Sequence, residues 1–144
     1  MAKFRNHKRR SKKIVYMPSI VGNTPIISTE TENQIYLTET DRITYVYAIT
    51  DNRKIVNVVN VSYDLKVNDK WVTVVRYDSE HGYLHRHDRI KNSEVEVTTI
   101  FGVIKKGDAS EWLTWAVNDI IKKNQDYKTG FLKRNKDRLT SRFK

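Results

Sequence analysis

Alternation of apolar and polar residues dominates the central part of the chain, and one amphipathic stretch follows it. Between residues 42 and 50, Ile43, Tyr45, Tyr47 and Ile49 alternate with Thr44, Val46 and Ala48, the period of a half-buried strand. A short extended segment, 34–37, precedes it after a polar Thr/Glu/Asn stretch. Asp51-Asn52 supplies turn chemistry, and the valine-rich run 54–67 then predicts a hairpin partner, bent where Asn57 and Asn60 interrupt the pattern. Asn68-Asp69 marks the next turn. Residues 71–78 read as a strand, the histidine-bearing segment after them as another, and 94–103 as one more. Short strands joined by short turns predict an antiparallel meander, since parallel pairs need long crossovers.

Asp108 and Glu111 stand in capping-box spacing before the only strong helical pattern. Trp112, Leu113, Ala116, Val117, Ile120 and Ile121 recur at three- and four-residue intervals, while Asn118, Asp119, Lys122 and Lys123 point elsewhere. Trp112 and Trp115 at that spacing belong to a core rather than to a base-stacking surface. The helix is expected over 108–126, with Gly130 ending the region and the basic tail continuing at most as a short helix. The predicted fold is a single α+β domain over residues 26–130, an antiparallel sheet of about five or six strands with the C-terminal helix packed on one face. A basic, mobile N-terminal arm and a connector (1–25) precede it, and a basic tail (131–144) follows.

Composition changes this picture at the ends. Lys3, Arg5, Lys8, Arg9, Arg10, Lys12 and Lys13 face no acid within residues 1–13, and Lys133, Arg134, Lys136, Arg138, Arg142 and Lys144 face only Asp137 within 131–144. Those ends carry +7 and +5 against a net charge of +10, so the body between them is −2. Basic ends on a nearly neutral body suit a polyanion without sequence preference, RNA above all, and equally suit a solvated tail. There is no cysteine, which excludes disulfides and thiolate chemistry. No segment has the apolar length of a signal sequence or of a membrane span, so a soluble, cytoplasmic protein without membrane contact is expected. Phosphate-cradling glycine loops, H-E-x-x-H and a nucleophile-elbow serine are all missing.

Candidate chemistry is confined to one hairpin. His81, His85 and His87, three of the four histidines, fall within seven residues; His7, the fourth, reads as a bystander. A four-residue turn 79–82 would set Arg76 opposite His85 and Val74 opposite His87, gathering Asp78, Arg76, His85 and His87 on one face, with Asp78 at its edge. Tyr77, Val75 and Trp71 would then share the other face with Leu84 and Ile90. A three-residue turn with Gly82 left-handed would instead set Tyr77 opposite His85 and Arg76 opposite Arg86. The like charges it opposes favour the first register. In that register His85 and His87 suit a general acid and base on either side of a phosphodiester, with Arg76 stabilising developing charge. Three readings stay open: metal-free acid–base chemistry such as RNA cleavage, a divalent-metal site using His81, His85 and His87, and histidines that are simply structural. No cofactor beyond such a metal is expected.

The run Arg76-Tyr77-Asp78, then His81-Gly82, then His85-Arg86-His87, resembles the R-Y-D-x-x-H-G-x-x-H-x-H core of a group of small prokaryotic proteins. More loosely it is similar to the toxin component of TumE/TumA-type toxin–antitoxin systems, which pair an R-Y-D-N strand with an H-x-H strand. That resemblance implies a growth-inhibiting protein acting on RNA or translation, held in check by a protein antitoxin. It would carry Arg76, Asp78, His85 and His87 as its functional positions.

Overall fold

The computed structural model describes residues 9–16, 25–80, 82–90, 93–99 and 107–135, with side chains over 28–80, 82–88 and 107–135. Among the described residues seven strands follow one another: β1 (Arg9–Tyr16), β2 (Pro25–Tyr36), β3 (Asp41–Thr50), β4 (Ile55–Val67), β5 (Lys70–Asp78), β6 (His85–Ile90) and β7 (Ser93–Thr99). Each pairs antiparallel with the next in chain order, and α1 (Ala109–Arg134) closes the described chain. The α+β class, the meander and the C-terminal helix on one face are as the pattern predicts.

The sheet extends further towards the N-terminus than alternation indicates. Arg9–Tyr16, read from sequence as part of a mobile arm, pairs along its whole length with β2, from Arg9 opposite Glu32 to Tyr16 opposite Pro25. Ladder hydrogen bonds use backbone groups whatever the side chains, so a strand of mixed polarity is invisible to a periodicity argument. Residues 1–8 and 17–24 lie outside the described residues, and with them all of the expected Met17–Pro25 connector except Pro25, which opens β2.

Local chemistry sets the turns. Asn68 and Asp69 both have positive φ, 51° and 63°, between paired Val67 and Lys70. That is a two-residue hairpin turn whose twist matches the strands it joins. The expected bend in β4 is realised as register shifts against β3 between Val46 and Tyr47 and between Ala48 and Ile49. Another shift, between Tyr63 and Asp64, sets Tyr63 opposite Val75 but Asp64 opposite Thr73.

Helix α1 begins as its sequence signals. The Glu111 backbone N–H donates to Asp108 Oδ1 at 3.0 Å, satisfying one of the first-turn amides. The preceding Gly107 sits at φ 104°, where a Cβ would also meet Glu111 Oε2 at 2.5 Å. The helix does not stop at Gly130. It runs to Arg134 because Phe131, 3 % exposed, docks in the core, and Asn135 then closes the last turn with its backbone and side-chain N–H groups on the Phe131 carbonyl. That packing outweighs the roughly 1 kcal/mol by which glycine disfavours a helix interior.

Ala109, Leu113, Ala116, Ile120 and Phe131 pack with Ile43, Val58, Val61, Tyr63, Leu65, Val75 and Tyr77 of the sheet. Two helix positions differ from the periodicity argument. Ile121 is exposed, and Asp119 is buried. The Asp119 carboxylate accepts hydrogen bonds from the Tyr77 and Tyr127 hydroxyls through Oδ2, the latter at 2.5 Å, and pairs with Lys123 Nζ through Oδ1 at 3.4 Å. A hydrophobicity scale assigns such a residue to solvent, because only the partners make its burial tolerable. Among the described residues no helix is long and apolar enough to cross a membrane.

Two outcomes follow from this buried network. Asp119→Ala leaves the Tyr77 and Tyr127 hydroxyls, 3.2 Å apart, without their shared acceptor and is expected to lower stability by roughly 2–4 kcal/mol in urea denaturation, against about 1 kcal/mol for Tyr127→Phe. Burial, and then the bond to Asp119, pushes the Tyr127 hydroxyl up to about 12, and burial with Asp119 or Asp41 raises Tyr77 and Tyr63 further still. The unfolded chain therefore releases these protons first, so stability is full below the ordinary tyrosine value of 10.0 and falls as the pH rises above it. Denaturation midpoints across that range should decline, with Tyr127→Phe flattening the slope; an unchanged slope in that variant would count against its share.

Candidate functional site

Pleating places alternate residues of β5 on opposite faces of the sheet. Tyr77 points to α1, where its hydroxyl reaches Asp119 and its ring meets Trp115 edge-on, with centroids 5.9 Å apart. Arg76 and Asp78 consequently project from the outer face, away from the helix.

The hairpin adopts neither register foreseen from sequence. Asp78 pairs with His85, Tyr77 with Arg86, Arg76 with His87 and Val75 with Asp88. The connection therefore spans residues 79–84, longer than either turn considered. Its length has visible causes. Ser79 is drawn across to β4, where its N–H donates to the Val58 carbonyl at 2.9 Å and its hydroxyl accepts from the Val58 N–H and donates to Asn57. Gly82 at φ 87° returns the chain, its N–H on the Ser79 carbonyl, and Leu84 is buried completely. Against the favoured register the slip is an even number of residues, so Asp78, Arg76, His85 and His87 still share one face.

Asp78 lies at the centre of this group rather than at its edge. Its Oδ2 accepts from Arg76 Nη1 at 2.6 Å and lies 3.1 Å from His87 Nε2, while Oδ1 accepts from the Glu80 N–H at 3.1 Å. The carboxylate is 8 % exposed, against 28 % for the Arg76 side chain and 18 % for His87. A neutral imidazole with its proton on Nε2, the nitrogen facing the carboxylate, has Nδ1 as its acceptor. His85 is 3 % exposed and its ring lies 4.1 Å from that of Tyr83. The four residues are thus brought together, but unequally: His87 and Arg76 reach solvent and His85 is packed. His81 lies outside the described residues, and among the described residues no three His, Asp or Glu side chains are grouped to hold a metal ion.

Periodicity alone did not reveal the rest of this face. Arg42 pairs with Asp64, Thr44 with Ser62, and Ser62 with Arg76, so a polar strip crosses β3, β4 and β5 up to His87 on β6. Asp64 accepts from Arg42 Nε at 3.1 Å, Thr44 Oγ1 at 2.9 Å and Thr73 Oγ1 at 3.2 Å. Trp71 belongs to this face, under Arg42, and not with Tyr77 and Val75 as strict alternation predicts. The shift at Tyr63/Asp64 inserts an extra β5 residue and reverses the alternation between Thr73 and Val75. A legible signal existed in β4, where Ser62, Asp64 and Lys66 alternate with Val61, Tyr63, Leu65 and Val67.

The basic positions are dispersed. Arg9, Arg10, Lys12 and Lys13 lie on β1, and Lys133 and Arg134 are exposed in the last turn of α1, where cations suit the helix dipole. Lys3, Arg5, Lys8, Lys136 and Arg138 lie outside the described residues.

The Asp78–His87 pairing makes a spectroscopic prediction. Long-range ¹H–¹⁵N correlation at a pH where the ring is neutral should show His87 as the Nε2–H tautomer, and Asp78→Ala should return it towards a mixture. A wild-type ring protonated on Nδ1 would contradict the geometry.

The family model for a domain of unknown function, DUF7718, matches residues 28–137, from within β2 to just beyond α1. No curated protein and no solved structure matches the chain. With 28–137 spanning most of the sequence, the chain belongs to the DUF7718 family.

Proposed function

We propose that this protein acts on RNA in the cytoplasm, its basic ends gathering the polyanion and the Arg76–Asp78–His87 group supplying metal-independent phosphodiester chemistry. The observation that carries the reading is the shared carboxylate: Asp78 Oδ2 is bound to the Arg76 guanidinium at 2.6 Å and lies 3.1 Å from His87 Nε2, on the outer sheet face. A carboxylate that fixes an imidazole orients its second nitrogen for proton transfer, as in other acid–base dyads. His87 Nδ1 would take the proton of the attacking 2′-hydroxyl as the 2′-O–P bond forms and the P–O5′ bond breaks, leaving a 2′,3′-cyclic phosphate and a 5′-oxygen protonated from water, and Arg76 would stabilise charge on the phosphorane. Asp78 and buried His85 serve as positioning residues. Resemblance to the TumE-type toxins supports the same direction and adds a protein antitoxin as partner.

Burial of His85 favours a second reading, in which the histidines only stiffen the hairpin and the basic ends alone bind nucleic acid. A divalent ion on His81, His85 and His87 is a third arrangement, separable by chelation.

Cleavage of labelled single-stranded RNA should be compared with and without EDTA for wild type, His87→Ala and His85→Ala, each shown to be folded. Expected is EDTA-insensitive cleavage, reduced by at least about a hundredfold in His87→Ala. Loss on chelation would establish the metal arrangement, and no wild-type cleavage with binding retained would leave the binding module. For the basic ends, Lys/Arg→Gln substitution is preferable to deletion, because Arg9–Tyr16 is a strand of the sheet. Removing their charge should flatten the salt dependence of binding by about 0.7 in the log–log slope for every phosphate that is no longer neutralised.

A further inference from the structure

The outer face carries a second built group that the acid–base reading does not use. Trp71, five residues before Arg76 on β5 and roughly 17 Å from it at strand spacing, stacks under Arg42, whose Cζ lies 4.2 Å from the indole centroid. Tyr36 meets Trp71 edge-on with centroids 5.9 Å apart and accepts from Arg42 Nη1 at 3.4 Å. Lys66, opposite Trp71 in the register and exposed, brings Nζ to 5.7 Å from the same ring. Asp64 fixes Arg42 through Nε, and Thr44 and Thr73 hydroxyls bond the same carboxylate. Trp71 and Tyr36 are both partly exposed.

We propose that Trp71, with Tyr36, Arg42 and Lys66, is a stacking subsite for an unpaired base of single-stranded RNA, on the same face as His87; the proposal rests on the RNA reading above. An indole held between a fixed guanidinium and a tyrosine edge is preorganised, so little conformational freedom remains to be lost when a base stacks on it. Aromatic faces accept any base and are used where bases are not already stacked in a duplex. Lys66 Nζ, over the same ring, would meet the adjoining phosphate. Charge is complementary as well. Asp64 and Asp78 are each engaged by an arginine, so with Lys66 the strip of Arg42, Lys66 and Arg76 retains an excess of cations for a polyanion. A strand seated on Trp71 and running along β5 would bring its following nucleotides to Arg76 and His87.

Fluorescence anisotropy of a short labelled oligouridylate, over a salt series, tests this with wild type, Trp71→Ala, Trp71→Phe and Lys66→Gln. Trp71→Ala should weaken binding roughly tenfold without changing the salt slope, and Trp71→Phe should recover most of that affinity. Lys66→Gln should lower the slope by about 0.7. Binding of a duplex RNA of equal length should be indifferent to Trp71→Ala. Equal affinity of wild type and both Trp71 variants, or an equal weakening on duplex, overturns the subsite while leaving the RNA reading intact; absence of any wild-type RNA binding overturns both. Should Trp71→Ala fail to fold, the other two variants decide, and an unchanged Lys66→Gln slope with an unchanged Trp71→Phe affinity for a stacking-poor abasic strand relative to oligouridylate counts against it.

Discussion

Tyr77 governs both sides of the sheet. Its hydroxyl is bound to Asp119 of α1, and its ring is buried completely beneath the helix. Because successive side chains of a strand point oppositely, fixing this one residue inward turns Arg76 and Asp78 outward and aligns them with His87 of the next strand. A one-residue slip would exchange the two sets, burying a guanidinium and a carboxylate against the apolar core and exposing a tyrosine. Such a slip is disfavoured on both faces at once, which is how a hairpin with a long connecting loop keeps a single register.

The polar pairs on the outer face share one logic. Asp64 and Asp78 each hold an arginine on the same or the neighbouring strand, and each carboxylate also takes hydrogen bonds from other groups around it. Buried carboxylates are tolerable only when so completely engaged, and an arrangement that satisfies every oxygen admits few alternative geometries. Arg42 is thereby fixed over Trp71. Rigidity of that kind is what the proposed ligand-presenting face would require.

Much of this was legible in the residues. The strands over residues 42–50 and 71–78, the Asn68-Asp69 turn and the Asp108/Glu111 cap each correspond to what is observed, because each is a local rule acting locally. The hairpin partners were legible only up to an even shift: pattern fixes which face a residue occupies, whereas loop length depends on Ser79 reaching β4, an interaction between segments about twenty residues apart. Trp71 was misplaced for the same reason, since a bulge is decided by the partner strand. Asp119 and Gly130 show tertiary packing overriding residue preference, and β1 shows pairing without any apolar signature.

At one end of the described sheet, β1 pairs with β2 on one side only. Arg9, Arg10, Lys12 and Lys13 make half of that border strand cationic. An unpaired strand border is a template on which another copy can add, and repeated lysine and arginine make that addition repulsive. The residues that would meet a polyanion on the proposed reading would therefore also oppose the addition of a second copy at that edge.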